Sequence, residues 1–215
     1  MIPIGDSPRL RTFPWVTYAF IAINVLVWLY TLLLPDEVPA TRIEAQRQFN
    51  EQTNGPCYGF EAAPSDRDRF YCERSFQPQE FFDVVLGEPE FSRVNETQVL
   101  LSILTSLFMH AGWLHIIGNM LFLWVFGDNV EDRLGHIGYA LFYLAGGVFA
   151  ALCQGVADPG SVVPNVGASG AVAAVLGSYL VLFPRATVNV VIPFFILIFI
   201  PIPIPAVVMI VLWFV

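Results

Sequence analysis

The chain has no lysine, and charged residues of any kind make up only 13% of its 215 positions. Charge so sparse cannot cover the surface of a soluble domain of this length. The cations are ten arginines and the formal net charge is −8. Nucleic-acid binding needs clustered cations to neutralise phosphates, so it is not expected. Histidine is scarce, with only His110, His115 and His136. So is cysteine: Cys57 and Cys72 lie in a polar stretch, and Cys153 lies in an apolar block, where it reads as a buried small hydrophobe. The polar stretch contains no histidine, which argues against a zinc site at its two cysteines. If that stretch faces an oxidising space, Cys57 and Cys72 could pair. No metal and no organic cofactor is expected.

What the chain has in quantity is apolar sequence, 56% of residues with a mean hydropathy of +0.64, gathered in long blocks. Residues 14–34 form 21 positions without a charge, preceded by Arg9 and Arg11. That length spans a hydrocarbon layer and exceeds the apolar region of a signal peptide. Trp15 and Tyr18 near one end, and Trp28 and Tyr30 near the other, suit the two interfaces. Residues 35–97 are polar, with thirteen acids and six arginines in 36–96, and predict a folded loop with short amphipathic helices on the membrane surface. Further apolar blocks follow at 99–127, 137–157, 169–183 and 188–215, with a charged turn at 127–133 and a loop at 158–166. Pro193, Pro201, Pro203 and Pro205 forbid one continuous helix in the last block. It predicts an irregular stretch to about 201, then a helix.

The expected fold is therefore all-α, a polytopic transmembrane helical bundle with about five spans in 215 residues. Its parts are an N-terminal segment 1–13, a first span 14–34, a loop 35–97 and a core 98–215. If the spans alternate, Arg9, Arg11, Arg133 and Arg185 fall on one side, which the positive-inside rule makes cytoplasmic. The loops 35–97 and 158–166 then face outward. The chain is expected to be a monomer in a lipid bilayer.

Polar side chains within spans are expensive and usually mark function. His115 and Asn119, four residues apart, share a helix face near the outer end of the second span. They can be read as glue between helices or as functional donors. Gly167-Ala168-Ser169-Gly170 opens the fourth span, placing Ser169 near its outer end also. Ser169 can be a helix N-cap, or a hydroxyl beside glycines that let a substrate backbone approach. Ala171 rules out the elbow motif of α/β-hydrolases, which requires a last glycine. Glu131-x-Arg133 before Gly135 reads as a solvated charged turn.

Together, His110-Ala111-Gly112-Trp113-Leu114-His115-Ile116-Ile117-Gly118-Asn119, Glu131-Asp132-Arg133-Leu134-Gly135, Gly167-Ala168-Ser169-Gly170 and Phe183-Pro184-Arg185-Ala186 resemble the signatures of the rhomboid family of intramembrane serine proteases. The resemblance covers roughly 98–215. It implies a six-span bundle with a water-filled cavity open to the outer face. It implies Ser169 as nucleophile, with His115, Asn119 and the Ser169 N–H as the oxyanion hole. His110 would be structural, while Gly167 and Gly170 would support the nucleophile. Substrates would be other membrane proteins, cut in or near a span that unwinds easily.

The family's base is a histidine on the sixth span, and no histidine here fills that position. His136 falls at the opposite end of the third span from Ser169. The sequence stops at Trp213-Phe214-Val215 within an apolar block, so truncation is expected, with the base beyond residue 215. Ala173 stands where some members place an aromatic beneath the base, and no Trp-Arg pair occurs in the 35–97 loop. An inactive rhomboid-like protein that binds membrane clients is the alternative, and a small transporter component fits only the composition. A bacterial inner membrane is the expected location.

Overall fold

The computed structural model describes residues 2–37, 65–87, 96–191 and 201–214. It is mostly helical, and the helices follow the apolar blocks. The first block forms α1 (Trp15–Leu33), which ends where Leu34 turns extended ahead of Pro35. In the polar loop, Ser65 and Asp68 form a reciprocal capping box that starts α2 (Asp66–Arg74). Arg67 fastens α2 to the end of α1, donating from Nε to Thr31 O at 3.0 Å and pairing with Asp36 at 2.8 Å. A short turn, α3 (Pro78–Phe81), continues into a π-helical turn at Phe82–Leu86. The short helices expected of this loop are thus present in its described part.

The second apolar block is not one continuous helix. It forms α4 (Glu96–Thr105) with a 3₁₀ turn (Ser106–Phe108), then α5 (Trp113–Leu134), and the two parts meet at 78°. Met109 is extended and Gly112 caps α5, so the helix ladder is interrupted between them. After α5 come α6 (His136–Ala157) and α7 (Ser169–Leu182). Among the described residues, α1 and α6 are long and apolar enough to cross a membrane, and the bent pair α4–α5 passes the same test as a unit.

The last block begins as sheet rather than as irregular chain. β2 (Thr187–Val191) pairs antiparallel with β1 (Ile2–Asp6) on one side and β3 (Ile202–Pro205) on the other. The chemistry of the strands fits their order. Proline cannot donate to a ladder and belongs on edges, and Pro3, Pro203 and Pro205 all lie in the two outer strands. The middle strand, Thr-Val-Asn-Val-Val, alternates, burying Val188 and Val190 and exposing Thr187 and Asn189. A terminal helix, α8 (Ala206–Phe214), follows β3.

The centre of the bundle is α7, packed on α5 and α6, with Ala171, Val172, Val175, Leu176 and Tyr179 all fully buried. Small residues let α6 and α7 approach closely. A Cβ on Gly146 would lie 2.5 Å from Ala174, and one on Gly170 would lie 2.5 Å from Ala150. Cys153 is exposed on α6, contrary to the expectation of burial. In a membrane the solvent is itself apolar, so an apolar flank does not imply an interior position.

One end of the bundle gathers the arginine-bearing turns. Arg11 N and Thr12 N donate to Asp132 Oδ1 at 3.0 and 2.8 Å, and β1 is held beside the turn after α7. The expected common side of Arg9, Arg11, Arg133 and Arg185 therefore agrees with the fold. Glu131 departs from expectation. Its carboxylate is fully buried and accepts from Val16 N (2.9 Å), Thr17 N (2.7 Å) and Thr17 Oγ1 (2.7 Å), capping the first turn of α1. His136 Nδ1 lies 2.6 Å from its other face. The motif is a buried helix cap and not a solvated turn.

Candidate active site

Ser169 is the first residue of α7, at the end of the bundle opposite the arginines. A helix leaves its first N–H groups without internal acceptors, so those of Ser169, Gly170 and Ala171 are available there. Gly167, two residues earlier, has φ +126°, which side chains rarely adopt. Its N–H donates to Ser106 O at 2.9 Å, fixing the approach to α7 against the break between α4 and α5. Further back, Asn165 N donates to Phe76 O (2.8 Å), Gln79 N to Ser161 O (3.0 Å) and Gln77 Nε2 to Val162 O (2.6 Å). The loop leading to Ser169 is thereby strapped to the polar segment before it.

His115 enters this site from α5. A Cβ on Gly167 would sit 2.6 Å from His115 Nε2 and 3.7 Å from Ser169 Oγ. The imidazole and the hydroxyl therefore flank the same glycine. Asn119 lies one turn further along α5, buried, with Nδ2 donating to His115 O at 2.9 Å. Its Oδ1 is buried without a partner among the described residues. His110 is fully buried and stacks edge-on against His115 with ring centroids 5.0 Å apart, while its carbonyl accepts from Tyr71 Oη at 2.5 Å. It joins α2 to the start of α5.

A cavity of about 170 Å³ opens at Ser169, its polar lining coming from Ser106, Gln154, Asn165 and Ser169. Gly147 and Gly170 form part of the wall, and a Cβ on Gly147 would strike Leu107 at 2.1 Å. The Ser169 hydroxyl makes no hydrogen bond to a described residue. His136, engaged with Glu131 at the far end of α6, does not reach it. The cavity can hold a polar group beside the Ser169 hydroxyl and the first backbone donors of α7, while His115 and Asn119 lie outside its lining. It supplies no base from the three histidines.

Cys57 lies outside the described residues, whereas Cys72 is disulfide-bonded. Glu80, unremarked in the sequence, is buried in α3, and desolvation pushes its carboxyl up to about 7. Nothing in the surrounding composition announces it, since the loop is acidic throughout.

A bent, polytopic helical bundle with polar groups from two helices at one end defines a membrane-embedded protein. The family model described as the rhomboid domain matches residues 97–215, and the chain belongs to the rhomboid family. It is 46% identical over 68 residues to Rhomboid-like protein 11, chloroplastic, of Arabidopsis thaliana, a match covering 32% of this chain and 24% of the relative. It is 37% identical over 92 residues to Rhomboid protein 1, mitochondrial, of Saccharomyces cerevisiae, covering 41% and 27%. It is 37% identical over 78 residues to Rhomboid protease GluP of Bacillus subtilis, covering 36% and 15%. The matches thus span about a quarter or less of these relatives. No solved structure matches the chain significantly. Relatives from two organelles as well as a bacterium do not favour the expected bacterial inner membrane.

Proposed function

We propose that this chain belongs to an intramembrane serine endopeptidase acting on transmembrane protein substrates. Ser169 Oγ attacks the scissile carbonyl and passes its proton to a histidine base. The resulting oxyanion is held by the Ser169 N–H with the side chains of His115 and Asn119. The base returns that proton to the departing amine, and water then releases the acyl group. The observation that carries this reading is that His115 Nε2 and Ser169 Oγ both border the space a Cβ on Gly167 would take, at 2.6 and 3.7 Å from it. A hydroxyl is a poor nucleophile without a base. His136 pairs with Glu131, His110 is fully buried, and this reading gives His115 to the oxyanion hole, so it assigns the base to a histidine other than these three. The arginine-bearing end, with the N-terminus, is assigned to the cytoplasm, and the polar loop, with a Cys57–Cys72 disulfide, to the opposite side.

The unpartnered Ser169 hydroxyl favours a second reading, an inactive family member that binds membrane clients. Full-length protein treated with a serine-directed phosphonate separates the two. The protease reading expects one labelled site, absent in Ser169→Ala, and cleavage of a model transmembrane substrate. Labelling that persists in Ser169→Ala contradicts the assignment of the nucleophile. Absence of both labelling and cleavage in the full chain supports the client binder.

A further inference from the structure

At the end of the bundle opposite Ser169, the N-terminal segment and the turn after α7 enclose an open groove of about 530 Å³. Ser7, Pro8, Phe183, Pro184, Arg185 and Ala186 line it. Arg133 does not line it, but its guanidinium sits over the ring of the lining residue Phe183, 5.1 Å from the centroid. The four carboxylates described at this end are all turned to the protein's own donors. Glu131 caps α1, Asp132 binds Thr12 and Arg11 N, Asp6 binds Tyr179 and Asn129, and Asp128 binds Asn129. Arg133 and Arg185, by contrast, are exposed and make no ion pair with a described residue. A chain with net charge −8 thus presents unopposed cations at this one groove.

The apolar surroundings narrow the ligand. Val181, just before Phe183, is 80% exposed, and Leu134 and Ile137, beside Arg133, are exposed too. On a bundle that spans a membrane, exposed apolar positions such as these suit contact with lipid. Guanidinium groups pair well with phosphate oxygens, and apolar flanks suit the glycerol and first methylenes of a lipid. We infer that the Arg133–Phe183–Arg185 groove seats the phosphate headgroup of an anionic membrane phospholipid. The inference is independent of the chemistry at Ser169. A free phosphate would satisfy the arginines but not the apolar flanks.

Full-length protein extracted from vesicles of equal phosphatidylglycerol and phosphatidylcholine, then examined by native mass spectrometry, tests this. The wild type should retain phosphatidylglycerol in about ten-fold preference. That preference should fall towards parity in Arg133→Gln/Arg185→Gln, survive in Arg133→Lys/Arg185→Lys, and be unchanged in Arg69→Gln/Arg74→Gln at the other end. A preference kept by the first variant, or lost equally in the last, overturns the inference. Displacement of the lipid by millimolar inorganic phosphate would mark a site for soluble phosphate and overturn it as well.

Discussion

A side chain at position 167 would occupy the space between His115 and Ser169. A methyl there meets His115 Nε2 at 2.6 Å on a backbone with φ +126°, so Gly167→Ala must displace the imidazole or the helix start. If His115 stabilises the oxyanion, phosphonate labelling should slow by about 10²-fold or more. Gly177→Ala, with nothing within 4 Å of the added carbon, should label at the wild-type rate. Glu131 makes a separate prediction, of stability rather than rate. Glu131→Ala leaves the N–H groups of Val16 and Thr17 without acceptors in a buried position. Denaturant unfolding in detergent should show a loss of about 3–5 kcal/mol, and Glu131→Gln, which retains one acceptor oxygen, should lose less. The two residues differed in how far the sequence revealed them. His115, Asn119 and Ser169 stood out because polar groups in apolar blocks are conspicuous. Glu131 sat among other charges in a short turn, where the sequence cannot show that a helix start from residue 16 descends onto it.

Among the elements, the strap between the 76–79 segment and the 161–165 loop controls how Ser169 is presented, and Glu80 is buried next to it. Its carboxyl is raised from 4.5 to about 7, so the folded state holds the proton more tightly than the unfolded state. The stabilisation this proton provides is complete below pH 4.5 and is lost as pH rises through about 7. Thermal unfolding of the full-length protein should therefore show a decline across that window that Glu80→Gln removes. An identical decline in Glu80→Gln would refute the role of this carboxyl. At the other end, Asp6 links β1 to two helices, accepting from Asn129 Nδ2 at 2.9 Å and from Tyr179 Oη at 2.5 Å. Asp6→Ala should leave Tyr179 Oη buried without an acceptor and Asn129 Nδ2 with Asp128 Oδ1 alone, lower stability by about 1–3 kcal/mol, and make the N-terminal segment easier to cut with protease. The apolar blocks were legible as helices, but the bend at 109–112 was not, because both arms have the same composition. The strands escaped notice because each is short, two carry proline, and β1 finds its partner far along the chain.

For the whole molecule, the bundle is built around a short central helix that begins at Ser169 and meets α6 through small residues. Composition and block length were enough to reveal a polytopic membrane protein, and the arginine pattern anticipated which turns share an end. Span counting put Ser169 and His115 near the same end, but it could not give their close approach at Gly167, which depends on the 78° bend and on how closely α6 and α7 approach. The central claim is that a hydroxyl from α7 and side chains from α5 converge on one reacting oxygen. A crystal structure of the full-length protein inhibited by a phosphonate tests it most directly. The account predicts phosphorus bonded to Ser169 Oγ, with the phosphoryl oxygen within about 3 Å of the Ser169 N–H and of the His115 or Asn119 side chain. An adduct on another residue, or one whose oxygen points away from α5, would contradict it.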